Sequence, residues 1–127
     1  MTKRIALTAF ASVLILGGSL DAHHSYGAYQ TDQTVSVEGT VTKVYYVNPH
    51  VLVTIKTKDG DYDAEFPAMR SLQQGNFKMT SLKVGDVVVA TGCPMKDHDV
   101  HRMSLMKELR RSSDGWVWSS VQPKSAN

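Results

Sequence analysis

Val44-Tyr45-Tyr46-Val47-Asn48-Pro49-His50-Val51-Leu52-Val53 joins two β-type runs through a short polar corner. The ring of Pro49 fixes its own φ and drives Asn48 towards an extended or turn conformation. His50 therefore stands at a defined corner between two strands. Upstream, Val35, Val37, Gly39 and Val41 share one phase of a period-two pattern, and Val44 and Tyr46 take the other. A strand cannot change phase without an extra residue, so the run from about Thr34 to Val47 predicts a first strand with a bulge or sharp bend between Thr42 and Val44. Gly39 eases a close backbone bend nearby. Long, bent first strands suit small closed barrels.

Downstream of the corner, Val51, Val53 and Ile55 alternate with Thr54, Lys56 and Lys58, a half-buried second strand. Asp59-Gly60 is a hairpin signal. Tyr62, Ala64 and Phe66 form the inner face of a third strand, with Asp63 and Glu65 on a solvated outer face opposite the lysines. Pro67 stops that strand. Ala68 to Gln74 predicts about two helical turns, with Gly75 as the C-terminal cap. Leu72, Phe77 and Met79 are placed to plug one end of a barrel. Leu82-Lys83-Val84-Gly85-Asp86 reads as a turn, and Val87 to Ala90 as a fourth strand ended by Gly92-Cys93-Pro94. Met95 to His101 reads as a polar loop. Met103, Leu105, Lys107 and Leu109 set the phase of a fifth strand, and Asp114-Gly115 turns into a short last strand, Trp116-Val117-Trp118. Three strands, a short helix, then two strands and a small extra arm is the order of the OB-fold. The fold class predicted is all-β: a five- to six-stranded OB-like barrel with one short helix between strands three and four.

The barrel occupies about residues 34–120 of a 127-residue chain. Ahead of it, Lys3 and Arg4 precede an apolar run from Ile5 to Leu16, then Gly17, Gly18, Ser19 and Ala22. That layout predicts a signal peptide over residues 1–22. The apolar run falls short of the about 20 residues needed to span a bilayer, so no stable membrane insertion is expected after its removal. Cleavage after Ser19 satisfies the small-residue positions, whereas cleavage after Ala22 makes His23 the new N-terminus. The expected location is periplasmic or secreted. Residues 23–33 read as an extended arm anchored by Tyr26 and Tyr29, and residues 121–127 as a disordered tail. Loss of Lys3, Arg4 and Asp21 lowers the formal charge from +2 to +1, with no basic stripe to bind nucleic acid. The single cysteine, Cys93, rules out an internal disulfide and reads first as a small residue packed at a strand end, otherwise as an unpaired thiol, an intermolecular bridge or a ligand.

Five histidines lie outside the strands: His23 and His24 on the arm, His50 at the corner, and His98 and His101 in the loop between strands four and five. The fold reading places His50 with the His98/His101 pair at one end of the barrel, within reach of the arm. Neutral imidazole is the commonest metal ligand and suits copper and zinc. If His23 is the new N-terminus, its amine and imidazole nitrogens chelate a metal together. Adding His24 or His50 gives a three-nitrogen site suited to Cu(II), with zinc as the competing ion. Against that, each histidine also reads as solvated or structural, and no CxxC, HExxH or structural-zinc spacing is present. Side-chain catalysis has no support: nothing orients His24 beside Ser25, and nothing activates Cys93.

His23-His24-Ser25, Val37-Glu38-Gly39-Thr40-Val41, Asn48-Pro49-His50, Leu82-Lys83-Val84-Gly85-Asp86 and Gly92 together resemble a family of small exported bacterial proteins catalogued as a domain of unknown function. The resemblance runs from His23 to about Leu109. It implies a periplasmic β-barrel without an established activity, with His23, His24, Asn48, Pro49 and His50 as its motif positions. Tyr45 or Tyr46 stands where that family commonly has Trp, and Tyr26 where it has Phe. The segment from Cys93 to His101, within that range, carries no recognised feature of that family.

The function expected from these readings is non-enzymatic binding of a transition metal, copper before zinc, by His23, His24 and His50, with His98 and His101 as auxiliary ligands. The alternative is a protein-interaction module of the cell envelope that uses the same loops without metal. A copper-dependent redox enzyme ranks third.

Overall fold

Gly39 lies where the first strand passes from one neighbour to the other. In the computed structural model, which describes residues 26–47 and 49–121, β1 spans Val35–Tyr46. Val35 to Thr40 pair antiparallel with β4 (Val87–Pro94), and Thr40 to Tyr46 with β2 (Val51–Thr57). The register shifts between Val41 and Lys43, where the apolar phase changes. A Cβ on Gly39 would collide with the Lys56 carbonyl oxygen and lie 2.8 Å from its carbon, so glycine alone permits this crossing of β1 over β2.

β2 turns back into β3 (Gly60–Phe66) through Lys58 and Asp59. Gly60, with φ 116°, is the first residue of β3 and pairs with Thr57, so the turn lies one residue earlier than the Asp59-Gly60 signal suggests. Val51, Val53, Ile55, Ala64 and Phe66 are fully buried. Helix α1 (Met69–Gln73) follows and is shorter than expected; the left-handed residue after it is Asn76 (φ 67°) and not Gly75. Leu72 and Phe77 plug the barrel end as expected, with Phe77 and Trp118 both packed on Phe66. Met79 does not join them. Its carbonyl accepts a hydrogen bond from the Tyr46 hydroxyl at 2.8 Å, and its side chain faces solvent.

β4, β5 (Arg102–Arg111) and β6 (Val117–Ser119) complete a sheet of order β3-β2-β1-β4-β5-β6. Parallel pairing of Asp63 with Arg102 and Ala64 with Met103 joins β3 to β5. The result is the expected OB-like architecture, a closed five-stranded barrel with β6 added on β5. The expected phase of β5 fails in its middle. Thr91 pairs with Glu108 and Cys93 with Ser104, so Leu105, Met106 and Lys107 together oppose Gly92. Leu105 takes a left-handed φ of 49°, and Met106 enters the core in place of Leu105. A Cβ on Gly92 would lie 2.7 Å from the Met106 sulfur, so the bulge packs into the space that glycine leaves.

The arm begins with a 3-10 turn, Tyr26–Ala28, and then pairs with the end of β4. Tyr29 bridges Met95, Gln30 N–H donates to the Pro94 carbonyl, and Lys96 N–H donates to the Ala28 carbonyl. The expected signal peptide, His23, His24, Asn48 and the tail beyond Val121 lie outside the described residues. Among the described residues, no helix is long and apolar enough to cross a membrane.

Candidate functional site

His50 stands where the polar corner enters β2, and its ring is fixed against β3. Its Nδ1 lies 3.1 Å from the Phe66 carbonyl oxygen. A carbonyl only accepts, so Nδ1 carries the hydrogen and, in the neutral ring, Nε2 carries the lone pair. A histidine ligand whose other ring nitrogen donates to a backbone carbonyl has its tautomer and orientation set in this way. Nδ1 also lies 3.9 Å from Glu65 Oε1.

The period-two pattern assigns Glu65 to a solvated face, and the structure corrects this. Its side chain is only 12% exposed, because the start of β5 and the arm both cover that face of β3. Arg102 Nη2 donates to Glu65 Oε2 at 2.8 Å. The Tyr29 hydroxyl interacts with both Glu65 and Arg102. Burial, reinforced by the Glu65 charge, raises the Tyr29 pKa, so its hydroxyl stays protonated in the ordinary range. Burial works against the charge of Arg102, but Tyr29, Glu65 and Asp63 hold its pKa above the usual value. The sequence did contain a signal for this group. An OB-like barrel closes by pairing β3 with β5, which places the first residues of β5 beside the acids of β3.

A cleft of about 460 Å³ opens beside this group. Tyr26 borders it from the arm, His50 and Glu65 from one side, and Ser104 to Lys107 of the β5 bulge from the other. The bulge explains the opening: β5 leaves β3 after Met103, so Glu65 and Phe66 have no ladder partner on β5. The N-terminal arm, the His50 corner and the bulge thus meet at one place.

His98 and His101 do not meet there. His101 stacks on Tyr62, with ring centroids 5.6 Å apart and planes 10° from parallel, and its carbonyl accepts from Asp63 N–H. His98 is exposed in the turn before it. Tyr62 and Phe66 are four residues apart on β3, roughly 13 Å at the rise of a strand. The expectation that His50 and the His98/His101 pair share one end of the barrel therefore fails. The loop before β5 meets the beginning of β3, because β3 and β5 run parallel, whereas the corner before β2 meets its end. Among the described residues, no group of three or more His, Cys, Asp or Glu side chains is arranged to hold a metal ion. Cys93 is buried, with Sγ 3.9 Å from the Thr31 carbonyl oxygen.

A family of unknown function (DUF6152) matches residues 11–104. No curated protein matches the chain. Among solved structures, the ZRD-deleted mutant of TiaS in complex with agmatine is similar with a TM-score of 0.51 and 19% identity, over 71% of this chain and 26% of that one. A complex of TiaS with a transfer RNA, AMPCPP and agmatine gives 0.49 and 21% identity, over 65% of this chain and 19% of that one. The chain therefore spans about a quarter or less of these solved structures, and the first likeness is one of fold.

Proposed function

We propose that this chain, which belongs to the DUF6152 family of unknown function, is a non-enzymatic metal-handling protein of the cell envelope that binds copper through His50, His23 and His24. One observation carries this reading: Tyr26 and His50 line the same cleft. His24 and His23 precede Tyr26 by two and three residues, so the chain can carry them roughly 7–11 Å from that cleft. The Phe66 carbonyl presets the His50 ring with its lone pair on Nε2, the arrangement of a metal ligand oriented through its other ring nitrogen. Copper ranks before zinc because an N-terminal amine and an imidazole together favour a tetragonal nitrogen set. His98 and His101 are dropped from the ligand set, since they stand at the other end of β3. The basic and apolar layout of residues 1–22 supports an envelope location.

The test is a Cu(II) titration of the chain beginning at His23, read by electron paramagnetic resonance, with His50→Ala and a chain extended at its N-terminus in parallel. One-to-one binding with a multi-nitrogen signal that changes in both variants is expected. A signal that His50→Ala leaves unaltered overturns the reading.

A second reading has its own observation. Tyr45 and Val47, beside the corner, are about half exposed, as is Tyr26 on the arm. These side chains suit a protein-interaction module whose partner lies in the envelope. Loss of partner capture in Tyr45→Ser, with Cu(II) binding unchanged, would favour that module.

A further inference from the structure

A second cleft, of about 600 Å³, opens at the other end of β3, beside the β2–β3 hairpin. It is remote from Phe66 and from the His50 corner, and nothing in the metal reading uses it. Its lining is apolar in part. The stacked rings of Tyr62 and His101 form one part, and Val37 and Val87 the other. Gly39 also lines the cleft.

The rim is polar and mixed in sign. Glu38 and Asp59 can only accept hydrogen bonds when ionised, and Lys58 can only donate. One ammonium stands among two carboxylates, so a strongly charged ligand of either sign meets repulsion from part of the rim. A phosphate would meet two carboxylates for one ammonium, which disfavours a nucleotide. A wholly apolar ligand would strip water from three charged groups without replacing it. The chemistry that fits has apolar ring faces and hydroxyl edges that both donate and accept.

We propose that this cleft binds a neutral saccharide unit of a glycan. The C–H face of the sugar packs on the outer face of the Tyr62–His101 stack, its hydroxyl hydrogens go to Glu38 and Asp59, and a hydroxyl oxygen accepts from Lys58. The site is independent of the copper reading and stands if that reading fails.

The experiment is a nuclear magnetic resonance titration of the chain beginning at His23, with maltotriose, chitotriose and a hexathymidylate as probes. At least one trisaccharide is expected to shift the Tyr62, His101 and Lys58 signals, with a Kd near about 1 mM. His101→Ala and Glu38→Gln are each expected to weaken it about tenfold. Both side chains lie at the surface, so unchanged circular dichroism spectra of the variants separate lost binding from lost fold. No shift with either trisaccharide, equal affinity in both variants, or preference for the hexathymidylate overturns the proposal.

Discussion

Arg102 Nη2 donates to Glu65 Oε2 across 2.8 Å, tying the first residue of β5 to β3 beside the two residue pairs that close the barrel. The closure is short because β5 leaves β3 after Met103, so this ion pair adds to a seam of two residue pairs. Arg102 Nε is buried and has no partner among the described residues, which leaves the guanidinium dependent on Glu65, Tyr29 and Asp63. Removing the carboxylate leaves that charge to Asp63, Tyr29 and solvent. Glu65→Ala is expected to lower stability by about 1.5–3 kcal/mol in urea unfolding, and Glu65→Gln, which keeps an acceptor oxygen, by less. A loss under about 0.5 kcal/mol in Glu65→Ala would show that the ladder alone holds the seam.

Gly39 and Gly85 test two different reasons for glycine. At Gly39 an added Cβ runs into the Lys56 carbonyl group, and backbone in a sheet cannot move aside cheaply. At Gly85 nothing lies within 4 Å, and only the φ of 97° resists a side chain. Gly39→Ala is expected to cost at least about 3 kcal/mol, the upper range of overpacking, and Gly85→Ala about 1 kcal/mol of backbone strain. Thermal unfolding of both variants checks the order. The reverse order would mean that β1 can slide off β2.

The barrel was legible because its strands keep a period of two against a single core. Val51, Val53 and Ile55 announce an inner face, and all three are fully buried. The bend in β1 was legible for the same reason, since Val41 and Val44 cannot share a phase on a regular strand. What the pattern could not show was a bulge with apolar residues on both faces. Met103, Leu105, Met106 and Leu109 fit either phase, and the choice was made by Gly92 across the ladder, which accepts Met106. The candidate site was half legible. Pro49 marked the corner that presents His50, but the buried state of Glu65 depends on the arm and on Arg102, both distant in sequence. The separation of His101 from His50 follows from the parallel β3–β5 pairing, a relation between strands that no local pattern encodes.

Arg111 gives the chain a pH-dependent latch. Its Nε and Nη2 donate to the two carboxylate oxygens of Asp114 at 3.0 and 2.9 Å, and its Nη1 to Asp86 and to the Ser81 carbonyl. The guanidinium lies over the Trp116 ring. Hydrogen bonds from Arg111, then the Trp116 N–H, lower the Asp114 pKa from 3.8 to about 2. The unfolded chain therefore takes up this proton first as pH falls. The stability contributed by Asp114 is fully present above its unfolded pKa of 3.8 and is lost as pH falls through about 2. Asp114→Asn should flatten the acid limb of a Tm-against-pH profile in that window and leave the neutral region nearly parallel. An unchanged acid slope in the variant would assign the limb to other carboxylates.

Cys93 reports whether the arm stays docked. The thiol is 1% exposed, with its Sγ nearest to the Thr31 carbonyl, and the backbone of Gln30 is bonded to the next residue, Pro94. The arm thus lies over the end of β4 that holds the thiol. It is held by a few backbone hydrogen bonds and the Tyr29 hydroxyl, so its release needs far less than global unfolding. Tyr29→Phe removes the interactions of the hydroxyl with Glu65 and Arg102 and keeps the ring. It should speed reaction of Cys93 with a soluble disulfide reagent about tenfold, at roughly 1.4 kcal/mol of weakened docking, with little change in Tm. Deleting residues 26–33 should speed it further. If both variants react as slowly as the parent, the barrel itself shields the thiol, and reaction then waits on global unfolding. In that case the rate would track urea concentration with the full unfolding slope, which distinguishes the two outcomes in a single series of measurements.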